Sequence, residues 1–166
     1  MDFRLRTMEV HVNNRNHLGE FIRLNEEWIR RYFILEETDR ALARDPGAII
    51  DQDGFVFSIV EDGTVVGVCA LFKKADGVYE LARMAVPETE QGKGYGNLLM
   101  QACLEKLRAL RARRVYLVSN TKLTAAIAMY RKFGFVPTGA SEHPGYARAN
   151  IVMERLLQHD EQAGRS

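Results

Sequence analysis

Apolar and polar residues alternate at the start of the chain through Phe3, Leu5, Met8, Val10 and Val12, with a break near Thr7, which predicts a strand over residues 1–12. The period then changes. From about Asn16 to Phe33 the apolar positions Leu18, Phe21, Ile22, Trp28, Ile29, Tyr32 and Phe33 recur at helical spacing, with Asn14 or Asn16 as the N-cap. A shorter helix is expected over Glu37 to Arg44, stopping before Pro46, whose preceding residue is pushed out of the α region. Next come strands over Phe55 to Val60 and Thr64 to Phe72, joined by the hairpin signal Glu61-Asp62-Gly63, and a third over Val78 to Val86 after the turn Ala75-Asp76-Gly77. A helix over Asn97 to Leu110 places Leu99, Cys103, Leu107 and Leu110 on one stripe, with Lys106, Arg108 and Arg111 largely off it. A strand over Val115 to Val118 leads to a helix over Leu123 to Phe133, which Gly134 ends. Phe135 to Thr138 and about Arg148 to Leu156 form a last strand pair around the loop 139–147, and the polar residues 158–166 read as a frayed tail.

The resulting order is β-α-α-β-β-β-α-β-α-β-β, with no repeat and no linker, so residues 1–157 read as one domain. At 166 residues it is large enough to bury its core without disulfides or metals. Lys plus Arg (23) nearly balance Asp plus Glu (22), which gives no reason to expect nonspecific attraction to nucleic acid or membranes. Cys69 and Cys103 stand in apolar surroundings with no Cys-x-x-Cys pattern and no signal sequence, which suits buried thiols in a reduced, cytoplasmic protein. His11, His17, His143 and His159 lack metal-ligand spacing, so surface imidazoles and no metal are expected. No apolar run is long enough to cross a membrane.

One stretch carries chemistry. Glu90-Gln91-Gly92-Lys93-Gly94-Tyr95-Gly96 lies between the third strand of the meander and a long helix, where glycines permit positive φ and the helix start offers N–H groups to an anion. A phosphate or pyrophosphate fits there. The P-loop pattern is absent, and a dinucleotide fingerprint starting at Gly92 would need glycine where Asn97 stands. Together with Glu80-Leu-Ala-Arg-Met-Ala-Val-Pro87 before it and Ala128-Met-Tyr130-Arg-Lys-Phe-Gly-Phe135 after it, this turn resembles the GCN5-related N-acetyltransferase (GNAT) family. In that family Gln/Arg-x-x-Gly-x-Gly/Ala wraps the pyrophosphate of acetyl-coenzyme A (acetyl-CoA), and Gln91, Gly94 and Gly96 hold the three fixed positions here.

The resemblance implies a mixed α/β fold: a seven-stranded sheet with helices on both faces, splayed between its fourth and fifth strands to admit the pantetheine arm. It implies acetyl-CoA as co-substrate, cradled by Gln91, Gly92, Lys93, Gly94, Tyr95 and Gly96 and bonded by the main chain of Met84, Ala85 and Val86. Asn120 matches a polar position that contacts pantetheine or the adjoining phosphate in some relatives; capping the following helix is the other reading. Leu123 departs from the family pattern, where asparagine is common. Lys93 and Lys132 are placed to screen phosphates, or are merely solvated.

Acetyl transfer to an amine needs the amine neutral, and for a lysine-like acceptor with a pKa near ~10.4 this costs about 4.6 kcal/mol at pH 7. Glu80, four residues before Met84, matches the position of the general base in histone-type relatives; a polar strand residue ordering the pocket is the alternative. Tyr130 matches the phenol that protonates the departing thiolate; a core aromatic is the alternative. On the acceptor side, Glu26, Glu27, Trp28, Tyr32, Glu36, Glu37 and Asp39 would suit a cationic amine, but Arg23, Arg30, Arg31 and Arg40 interleave with them as in a salt-bridged surface. Tyr146, Arg148 and Asn150 are candidates for the opposite wall. The expected activity is therefore acetyl transfer to a primary amine, on a small molecule with a protein amine as the alternative, by direct attack in a ternary complex, with a homodimer allowed. A non-catalytic CoA-binding module is the rival. A toxin acting on charged tRNA would want a basic surface, which a net charge of +1 does not supply.

Overall fold

The computed structural model describes residues 7–139 and 147–157. Its seven strands are β1 (Met8–Val12), β2 (Phe55–Glu61), β3 (Thr64–Ala75), β4 (Val78–Ala85), β5 (Arg114–Ser119), β6 (Val136–Pro137) and β7 (Ile151–Leu156). They form one sheet in the order β1-β2-β3-β4-β5-β7-β6. The β4–β5 pair is parallel and every other pair antiparallel. Five α-helices flank it: α1 (Leu18–Tyr32), α2 (Glu37–Arg44), α3 (Ala48–Asp51), α4 (Tyr95–Ala109) and α5 (Thr124–Lys132).

The period of two fixes what each face buries. Phe57, Ile59, Cys69 and Leu71 point to the core shared with Leu99, Cys103 and Leu107 of α4, whereas Val56, Val68 and Ala70 point to the core shared with Phe21 and Leu24 of α1. With both faces covered, β3 is buried without interruption from Val65 to Leu71. Asp62 (φ 50°) and Gly63 (φ 82°) make the β2–β3 connection a two-residue turn of the hairpin type that the sequence predicts.

Several boundaries differ from the sequence expectation. Asn14 does cap, but it caps a 3-10 turn over Arg15–His17, its side chain accepting from the Asn16 amide at 3.0 Å, and α1 starts only at Leu18. Leu110 is 40% exposed, because α4 ends at Ala109 and the chain turns away from the stripe. The four-residue α3 was not expected; it is too short to display a period. Neither Asn120 nor Thr121 caps α5, whose N-cap position is Leu123 with no side-chain bond. Phe3 and Leu5, the loop 140–146 and the tail 158–166 lie outside the described residues.

The feature that makes room for a site is in the middle of the sheet. β4 and β5 pair only through Val78, Tyr79 and Glu80 against Arg114, Val115 and Tyr116. Beyond Glu80 the two strands part. Arg83 adopts φ 61°, and between the pairs Ala70↔Ala82 and Val68↔Ala85 strand β4 carries one extra residue. This is a β-bulge, which bends its strand and increases the local twist where β4 leaves β5.

Candidate active site

The gap between the parted strands opens into a cavity of about 960 Å³. On the side of the sheet covered by α4 and α5 it is lined by the glycine turn, Met84, Val86, Met129 and Tyr130; on the α1 side it is lined by Asn25, Trp28, Tyr32, Arg83 and Arg148. The cavity therefore passes through the sheet.

At its mouth, Gly92 (φ 82°) and Gly94 (φ 86°) both occupy the left-handed region, and Gly94 is the N-cap of α4. A Cβ on either would meet no protein atom within 4 Å, so glycine is required by backbone conformation there and the space beside it is open to a ligand. Gly96 has a different reason: a Cβ would come 3.3 Å from the Met129 sulfur, so its absence lets α4 and α5 approach. The fifteen-residue α4 directs its N-terminus at this open space, an arrangement suited to an anion. Gln91 donates to the Val86 carbonyl at 3.3 Å and ties the turn to the end of β4. The Lys93 ammonium lies 2.8 Å from Glu90, and Lys132 donates to Asn97 at 3.5 Å. Tyr95 is buried, its hydroxyl hydrogen-bonded to the carboxylate of Glu61 on β2. Sequence reading missed Glu61, which lies far from the turn in the chain and carries no local signal.

Within the gap, Met84 and Val86 line the cavity, while the Ala85 side chain points away into the α1-side core. Tyr130 faces the cavity from α5, its ring 6.2 Å from that of Phe135. Burial, with a smaller contribution from Cys69, pushes its phenol up to about 12, so it holds its proton at neutral pH. Leu123 lines the cavity as an apolar residue. Asn120, buried, donates to the Arg148 carbonyl at 2.7 Å and accepts from the Lys122 amide at 2.9 Å, so its amide joins the end of β5 to the segment before β7.

Glu80 is placed differently. It is buried on β4, pairs in register with Tyr116 and lies 3.4 Å from the Lys74 ammonium, and it is not among the residues lining the cavity. Burial and then the charge of Glu80 raise the Tyr116 phenol.

The α1 side holds a cluster that the sequence did not reveal. Arg83, carried by the bulge, places its guanidinium 2.6 Å from Asp39, and Arg148 reaches the same carboxylate at 2.8 and 2.9 Å and Glu36 at 3.1 Å. Asp39 also accepts from the Glu36 amide at 2.8 Å, closing the capping box of α2. Burial alone would raise the Asp39 carboxyl, but the bonds from Arg148, the Glu36 amide and Arg83 outweigh it and bring it down to about 2. The sequence offers Glu36 and Asp39 on one wall and Arg148 on the other, without Arg83 and without the bonds that join them. Most other acids of this wall are paired on the surface: Glu20 and Glu27 with Arg23, Glu26 with Arg30, and Glu37 with Arg44. Asn150 bonds Thr121 instead of lining the cavity, and Tyr146 lies outside the described residues.

Cys69 and Cys103 are buried with their sulfurs 3.3 Å apart, and burial raises the Cys103 thiol well above its usual range, keeping it protonated. His17 is partly buried, its Nδ1 2.6 Å from the Ser58 hydroxyl, so it is not the plain surface imidazole expected. Among the described residues no group of three or more His, Cys, Asp and Glu side chains is arranged to hold a metal, and no helix is long and apolar enough to cross a membrane.

The parted sheet, the glycine turn at the start of α4 and the protonated phenol of Tyr130 thus meet at one cavity. The chain belongs to the acetyltransferase (GNAT) family, whose model matches residues 22–135. It is 32% identical over 96 residues to an IAA acetyltransferase of Azospirillum brasilense, a match that takes in 57% of this chain and 63% of the relative. It is 31% identical over 103 residues to the uncharacterized N-acetyltransferase YjgM of Escherichia coli (strain K12), covering 60% of this chain and 58% of that one. The chain thus spans about three fifths of the length of the curated relatives it matches. Among solved structures, a GNAT-family acetyltransferase of Staphylococcus aureus Mu50 superposes with a TM-score of 0.81 at 16% identity, over 92% of this chain and all of the other, and confirms the fold.

Proposed function

We propose that the protein transfers the acetyl group of acetyl-CoA to a primary amine of a small molecule, by direct attack in a ternary complex in the cytoplasm. The observation that carries this reading is the cavity through the sheet, which joins an anion-binding turn on one face to a polar pocket on the other. In this assignment Gln91, Gly92, Lys93, Gly94, Tyr95 and Gly96 cradle the pyrophosphate, with Tyr95 steadied by Glu61. The backbone of Met84, Ala85 and Val86 faces the gap left by β5 and meets the pantetheine and the acetyl carbonyl. Parted strands leave main-chain groups that cost about 1 to 3 kcal/mol each when buried without a partner, and the amides of pantetheine match them.

The amine nitrogen attacks the thioester carbon, the tetrahedral intermediate collapses with cleavage of the C–S bond, and Tyr130 gives its proton to the departing sulfur. A phenol held at about 12 stays protonated until that moment and then recovers a proton from solvent. Glu80 does not line the cavity, so its role as base runs through water rather than by contact. Asn120, which lines the cavity, is placed to meet pantetheine or the adjoining phosphate while it bonds the Arg148 carbonyl.

Tyr130→Phe tests the acid role. The variant should keep its stability and its stabilisation by CoA, while kcat for acetyl transfer, followed by thiol release and the mass of the product, falls by about 10²-fold, the lower end of a lost general acid, since CoA thiolate leaves fairly well unprotonated. Turnover within about threefold of wild type would make the phenol a packing residue.

A further inference from the structure

The charges on the α1 side of the cavity are not those of a cation-binding pocket. Among the described residues the charged side chains lining it there are Arg83, Arg148 and Lys122, whose ammonium lies 5.9 Å from the centre of the Phe33 ring at the end of α1, while Asp39 and Glu36 are not among the lining residues; Glu90, which does line the cavity, belongs to the glycine turn and pairs with Lys93. A polyamine would bring a second positive charge against two guanidiniums.

We propose that the acceptor is a small amine bearing a carboxylate, an amino acid in chemical class, whose carboxylate is recognised by Arg83 and Arg148 and whose body packs on Trp28 and Tyr32. The inference rests on the acetyl-transfer reading of the cavity. Three observations carry it. Asp39, with its side chain 1% exposed, accepts from Nη1 of Arg83 at 2.6 Å and from Nη1 and Nη2 of Arg148 at 2.9 and 2.8 Å, which fixes the planes of two guanidiniums that both line the cavity. Guanidinium planes held in place suit carboxylate recognition, because fixing them beforehand removes most of the ordering cost on binding. Arg83 owes its position to a left-handed backbone at φ 61°, uncommon for a residue other than glycine, and the bulge re-aims its side chain to the α1 side. Trp28 and Tyr32, with ring centres 5.3 Å apart, give that side an apolar wall beside the two charges. Arg83 and Arg148 against Asp39 and Glu36 leave that cluster neutral and Lys122 adds one positive charge beside it, which suits one added negative charge better than the two of a phosphate monoester.

The test uses pairs that differ only in the carboxylate: L-phenylalanine against phenethylamine, and L-leucine against 3-methylbutylamine, with O-phosphoethanolamine as the phosphate probe. Two readouts are taken on the full chain: thermal shift of the CoA-saturated protein, and thiol release from acetyl-CoA. At least one amino acid should shift the loaded protein and exceed its decarboxylated partner in kcat/KM by about 100-fold or more, as expected where a site is built to bond a group that the analogue lacks. Arg148→Gln should cut that ratio at least tenfold with its CoA shift unchanged, and Arg148→Lys, which keeps the charge without the fork, should restore only part. Equal or better turnover of the decarboxylated amines, a preference for O-phosphoethanolamine, or a ratio unmoved in both folded variants overturns the carboxylate site and leaves acetyl transfer standing. An amino acid shift abolished by Arg148→Gln, without thiol release, upholds the site and overturns acetyl transfer. No shift and no turnover with either amino acid overturns the site.

Discussion

Tyr130 and Glu80 stand in opposite relations to the cavity. Tyr130 lines it with its proton secured by burial, whereas Glu80 sits behind the wall beside Lys74. A base acting through water leaves a particular mark. Glu80→Gln keeps the shape of the side chain, so the rate at neutral pH should fall about tenfold to a hundredfold, within the reach of a lost base, and recover in part as rising pH supplies free amine. A pH–rate profile that follows wild type at similar magnitude would remove Glu80 from the reaction. Tyr130 was legible in the sequence because its motif is local. Arg83 and Glu61 were not: the bulge depends on how β4 registers against β3, and the Glu61–Tyr95 bond joins residues brought together only by the finished sheet.

Among the elements, α2 does more for the pocket than its eight residues suggest. Its third turn-opening position, Asp39, completes the capping box and also gathers Arg83 from β4 and Arg148 from the segment before β7. The folded-state carboxyl at about 2 lies below its usual 3.8, so its contribution to stability is complete above 3.8 and is lost as the pH falls through about 2. Asp39→Asn should destabilise the protein by about 3 kcal/mol at pH 7, the scale for breaking a buried pair, with the gap to wild type narrowing between pH 4 and 2. Urea unfolding of both proteins across that range measures it; a gap that stays constant would mean that the charge of Asp39 contributes nothing. The helix itself was predicted to the residue over Glu37 to Arg44, its end set by Pro46. Elements with few residues escaped: α3 has four and β6 two, too short for a period to show.

At the scale of the molecule, one departure from a regular sheet makes the site. β4 and β5 pair for three residues and then part, and the glycine turn that follows β4 delivers the N-terminus of α4 to the opening. The order of elements along the chain and the glycine turn could be read from periodicity and a motif, while the passage through the sheet to Arg83 and Arg148 depends on packing that the chain does not display locally. Binding of acetyl-CoA at this opening through its pyrophosphate is read out by CoA-dependent thermal stabilisation of wild type and Gly94→Glu. Gly94 has φ 86°, so the substitution costs some stability of its own, and each protein is therefore compared with and without CoA. At a hundredfold excess over Kd, wild type should gain about 2.7 kcal/mol, a rise of roughly 5 to 10 °C in Tm, and the folded variant, with a carboxylate set in the phosphate site, should gain less than about a third of that. Equal rises in the two proteins would place the coenzyme away from the glycine turn.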